Sequence, residues 1–172
     1  MHIAATPLHA PLAALVTDGA VHALVAAELL GLATLRMWAA PHRRPQQVHP
    51  DWRDGPRAAW LEEDAAEAFD TLMRLVVATG HRVLDVRCPP CPGLGADEVA
   101  FLAMLHGAQA HPAGGDGMLG AWLPPGAVRA ARPFLAQFAA AMAARGLWLP
   151  ERAPPAEAGV AMPVAGHGRC LH

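Results

Sequence analysis

The sequence predicts a mainly α-helical, single-domain bundle of about four helices, with one short extended segment and a cysteine-containing loop. Three observations carry that expectation. Ala and Leu make up much of the apolar fraction of 53%, and Ile3 is the single isoleucine of the chain; such a composition favours helix over sheet. Several stretches space their apolar residues by three and four positions, the period of one helix face. Only "RVLDVR" (residues 82–87) alternates with a period of two, as a short strand does. The 172 residues suffice for one real core. We assign residues 1–150 to a helical domain and residues 151–172 to a Pro/Ala/Gly-rich C-terminal tail that could dock on it.

The first 16 residues, with Pro7 and Pro11, read as an irregular lead-in. Thr17 or Asp18 can cap a first helix running to Ala40, with Val21, Leu24, Val25, Leu29, Leu32 and Leu35 as its buried stripe and Pro41 as its stop. Residues 41–56 form a polar connector with four prolines. Within it, "VHPDWRD" sets His49, Asp51, Arg53 and Asp54 beside Trp52, which reads as a packed Trp anchor among solvated charges. A second helix runs from Arg57 to Thr79. Its inner face is Leu61, Ala65, Ala68, Phe69, Leu72, Met73 and Val76; Glu63, Glu67, Asp70 and Arg74 form a solvated stripe. Gly80 supplies the left-handed residue that ends it. Residues 82–87 could pair with "LWLP" (residues 147–150). A third helix spans residues 96–110, with Asp97 and Glu98 as capping or first-turn acids and Glu98 and His106 facing solvent. A fourth spans residues 125–145, with Ala131, Leu135, Phe138 and Met142 inward, Pro133 as its kink or true start, and Gly146 as its end.

Charge and absences narrow the function. A net charge of −2 and a pI near 6.5 provide no basic field for nucleic acid. The most apolar stretch, residues 20–40, contains His22, Glu28 and Arg36, so no membrane span is expected. No cationic segment precedes Arg36, and the odd number of cysteines fits a reducing compartment; both point to the cytoplasm. The chain has no Lys, Ser, Tyr or Asn, which removes Schiff-base chemistry, the phosphate-gripping Walker lysine and every serine nucleophile. No Glu-x-x-His occurs, so the polar stripe of the second helix lacks the dinuclear-iron pattern.

What remains is "CPPCPGLG". Two thiolates three positions apart in a tight turn can bind one Zn or Fe ion. Pro89 and Pro90 restrict the turn, and the N-terminal end of the next helix favours thiolate. The segment resembles the C-P-x-C-G half-site of rubredoxin-like and zinc-ribbon knuckles, with Pro92 in place of the usual Gly. Such a knuckle is half a site. Cys88 and Cys91 would be completed by Cys170 with His167 or His172, by His81, His106 or His111, or by a second copy across a dimer axis. The two Cys-Pro pairs also resemble the minimal haem-responsive motif, which implies a thiolate on haem iron. As a C-x-x-C the segment is similar to thioredoxin-like sites, which implies a dithiol/disulfide couple with Cys88 as nucleophile and Cys91 resolving. The leading expectation is a small cytoplasmic binding or regulatory protein with a structural or sensory metal, Zn or Fe rather than haem or an iron–sulfur cluster, at this loop. The alternatives are a thiol-based or metal-dependent enzyme, or a non-catalytic subunit or assembly factor. Ala- and Leu-rich faces suit a homodimer or a partner protein.

Overall fold

Four helices of 15 to 20 residues build the core, in keeping with their apolar spacing: α1 (Ala26–Arg43), α3 (Glu63–Thr79), α4 (Ala96–Ala110) and α6 (Pro125–Ala144). Two short ones, α2 (Asp54–Ala58) and α5 (Asp116–Leu119), and a 3-10 turn at Ala20–Ala23 complete the set. The structure, a computed structural model, describes residues 20–111 and 113–151. Among the described residues there is no strand, and no helix is long and apolar enough to cross a membrane.

In space the order is α3, α6, α4, α1, each packed on the next. α4 therefore has neighbours on two sides, which is why it carries Val99, Phe101, Leu102, Met104 and Leu105 inward over most of its girth. One phenylalanine from each of three helices meets at the centre. Phe69 of α3 lies 6.0 Å from Phe101 of α4 and 5.1 Å from Phe138 of α6, ring centre to ring centre. Trp52 of the connector closes on Phe69 at 5.4 Å, while the Arg53 guanidinium covers the Trp52 ring at 4.5 Å.

Several expectations need correction. Leu24, Leu32 and Leu35 are buried as expected for the α1 stripe, but Val25 and Leu29 are exposed, and Ala27, Glu28, Gly31 and Arg36 are inside as well. Pro41 does not stop α1, because in the last turn it forfeits one hydrogen bond and the helix runs on to Arg43. The single helix expected over residues 57–79 is two, α2 and α3. They part at Trp60, whose φ of 58° is left-handed. There the Trp60 amide donates to the Arg57 carbonyl and the Leu61 amide to the Pro56 carbonyl, with Leu61 and Pro56 both buried. This is the Schellman ending of a helix, with Trp in the position that glycine normally takes. α6 ends the same way at Gly146, φ 74°, as its sequence predicts. Gly80 serves a different need. It is not left-handed; it lies so close to the Val76 carbonyl that a Cβ would collide with it.

Candidate functional site

The residues before the cysteines run without strand partners, and the expected pairing with residues 147–150 is not formed. Their amides turn instead to the first turn of α4. Asp85 N–H donates to Asp97 Oδ2 at 2.6 Å and Arg87 N–H to Glu98 Oε1 at 2.8 Å. Two amides two residues apart facing the same helix start mark an extended chain edge. Both acids are therefore buried, and Glu98 does not share a solvent face with His106.

At the centre of the loop stands an ion pair. Arg36 of α1 is 2% exposed and Glu98 0%. Arg36 Nε and Nη2 donate to the two Glu98 oxygens at 2.8 and 2.9 Å. The remaining donors take the loop carbonyls: Nη1 reaches Cys91 O at 2.6 Å and Pro89 O at 3.4 Å, and Nη2 reaches Gly93 O at 2.6 Å. Glu98 Oε2 also accepts from Gly95 N–H at 2.8 Å. Backbone groups at 87, 89, 91, 93 and 95, every second residue, thus converge on one guanidinium–carboxylate pair. A buried charge pair is tolerable only when so fully hydrogen-bonded.

A second acid anchors the flank. Asp97 accepts from Arg82 Nη1 and Nη2 at 2.7 and 2.6 Å and from Trp122 Nε1 at 3.0 Å. Burial pushes its carboxyl up, but the Arg82 hydrogen bonds and charge, the Asp85 amide and the Trp122 indole outweigh burial and hold its pKa below the ordinary value. The same contact, hydrogen bond first and charge second, raises that of Arg82. On the other side, Val21 N–H donates to Pro92 O at 3.1 Å, docking the 3-10 turn on the loop.

Cys88 and Cys91 sit half-buried at the tip of this frame. The Cys91 amide closes a turn onto the Cys88 carbonyl at 3.0 Å, and the two sulfurs are joined as a disulfide with Cα atoms 5.3 Å apart. The pair expected as a metal half-site is thus oxidised here. A metal takes thiolates, so ligation at these sulfurs requires their reduction. Nor does α4 start at the first cysteine, as in a thioredoxin-like site, because residues 92–95 intervene before Ala96.

The other expected ligands are scattered. His81 is exposed at the start of the extended segment. His106 lies two turns along α4 from Glu98, with Nδ1 3.0 Å from Leu149 O. His111 Nδ1 accepts from the Ala113 amide at 3.2 Å. Cys170, His167 and His172 lie outside the described residues. Among the described residues no three His, Cys, Asp or Glu side chains gather into a ligand group. Glu98 is the first-turn capping acid that the sequence predicts, accepting from the Gly95 amide, but it is buried rather than facing solvent, and its pairing with Arg36 was not expected. Their signal is register: Arg36 follows Leu32 by four positions on an otherwise apolar face, and Glu98 is the third residue of a helix whose preceding glycine offers it an amide.

Comparison of the chain with family models, curated proteins and solved structures found no match.

Proposed function

We propose that this is a small cytoplasmic redox protein, acting on or regulating a partner protein through a Cys88–Cys91 dithiol/disulfide couple. The observation that carries this reading is the half-exposed disulfide at the tip of a loop whose backbone is held independently of it. In a reducing compartment a disulfide is ordinarily catalytic or sensory rather than a structural staple. A thiolate of a partner dithiol attacks one sulfur of the pair, and the other sulfur leaves as thiolate. The partner's second thiolate then resolves the mixed disulfide. The pair ends reduced by two electrons and the partner ends as a disulfide; in reverse, Cys88 attacks and Cys91 resolves.

The test is equilibration of the purified chain in graded glutathione buffers, with thiols trapped and counted. A reversible two-electron transition within about −270 to −120 mV, the span of known exchange couples, supports the reading. A pair that stays reduced throughout, or opens only when the chain unfolds, overturns it.

A metal remains the second reading, favoured by the 5.3 Å separation of the two Cα atoms, which suits a single ion between reduced sulfurs. Cys170 and His167 or His172 would complete it. Stoichiometric Zn or Fe in anaerobically purified protein, lost in a Cys88→Ala/Cys91→Ala variant, would establish that site in place of the couple.

A further inference from the structure

An apolar groove of about 470 Å³ opens between the C-terminal halves of α1 and α3 and the extended segment that leads into Cys88. Trp38, Val76 and Val77 form one wall, and Val83, Leu84 and Val86 the other. Val77 is 64% and Val83 93% exposed, so the groove presents aliphatic surface that the fold leaves uncovered. Its rim is basic: Arg43, His42, His81 and Arg82. Arg82 is already engaged by Asp97, whereas Arg43 has no ion pair among the described residues.

The wall formed by residues 83–86 has a property beyond its apolar side chains. Because the Asp85 and Arg87 amides turn toward α4, those of Leu84 and Val86 belong to the opposite edge of an extended chain. No described group accepts from either amide. Unpaired amides at alternate positions beside apolar pockets are what an added strand requires.

We propose that this groove binds an extended polypeptide segment of a partner protein. The segment pairs its carbonyls with Leu84 and Val86, inserts alternate aliphatic side chains against Trp38 and Val77, and places a carboxylate at Arg43. An amphiphilic carboxylate could use the apolar wall and Arg43, but it would leave the amides unpaired, so the observations favour a peptide. The site needs no cysteine chemistry and goes beyond the redox reading.

The probe is a fluorescein-labelled peptide of alternating Val and Thr with two Glu at one end, titrated against the full chain by anisotropy. Saturable binding is expected, weakened at least tenfold by Val77→Asp, at least fivefold by Arg43→Glu, and at least tenfold when the amides of the peptide's pairing edge are N-methylated. Val77 and Arg43 are exposed, so these variants leave the core intact, with circular dichroism as the check. The Cys88→Ala/Cys91→Ala variant is expected to bind within twofold of the parent, which separates this site from the redox couple. No binding at 1 mM peptide (on the order of the weakest specific contacts) would overturn the proposal. So would equal binding of the N-methylated peptide, indifference to Val77→Asp, loss of binding in the cysteine variant, or saturable uptake of dodecanoate without the peptide.

Discussion

Replacing Arg36 by Met tests whether the buried ion pair holds the cysteine loop. The aliphatic stem is roughly conserved, so the loss is mainly that of the guanidinium and its five hydrogen bonds, two to Glu98 and three to the carbonyls of Pro89, Cys91 and Gly93. Glu98, 0% exposed, would keep only the amides of Arg87 and Gly95. Removing one partner of a buried pair costs about 3–5 kcal/mol. For a chain of this size that lowers the melting temperature by about 6–20 °C. Urea denaturation followed by circular dichroism measures the cost. The disulfide supplies an independent reading, since the loosened loop should be reduced by a fixed dithiol concentration several times faster than in the parent. In Arg36→Met/Glu98→Leu the stranded charge is gone, so the double variant should cost at least about 2 kcal/mol less than the two single losses added together. A single-variant loss under about 1 kcal/mol with unchanged reduction kinetics, or strict additivity, would refute the reasoning.

Reduction of Cys88–Cys91 frees a loop of only four residues, for which chain entropy predicts a loss of about 2 kcal/mol at most. The reduced chain should therefore keep its helical circular dichroism and cooperative melt, and unfolding by reductant alone would contradict this. Asp97 has a lowered pKa in the folded chain, so its stabilisation is complete above the unfolded value of about 4 and vanishes as pH falls through the folded value. Urea midpoints at pH 6 and pH 2.5 should accordingly differ less in Asp97→Asn than in the parent, with the variant weaker at pH 6. Trp60 is 78% exposed and left-handed. Trp60→Gly should therefore raise stability by up to about 1 kcal/mol; a fall in the urea midpoint would show that the indole packs on something.

The inner faces of the long helices were readable because each depends on the helical period alone. Leu61, Ala65, Ala68, Phe69, Leu72, Met73 and Val76 are all buried, as are Ala131, Leu135, Phe138 and Met142. The Gly146 ending was readable because glycine marks the left-handed position. At Trp60 the same ending was hidden, since nothing in a tryptophan announces it. Of the expected α1 stripe Leu24, Leu32 and Leu35 are buried and Val25 and Leu29 are not; the rest of the inner face was hidden, because Glu28 and Arg36 look like solvent residues until their partners are known. Of the site, the C-x-x-C turn was visible, whereas the pair that holds it was not: Arg36 and Glu98 lie 62 positions apart, beyond the reach of any local pattern.

By itself, then, the order of residues determined the helical class, the long helices and their apolar faces, and the cysteine turn, all of which follow from local period and local turn chemistry. Tertiary structure decided what the charged residues do. Burying Glu98 is tolerable only where a guanidinium from α1 arrives within 2.8 Å, and that meeting exists only once α1 packs on α4. The same packing turned the period-two stretch from a strand into a helix-bound edge, with one row of amides taken by Asp97 and Glu98 and the other left open beside the groove.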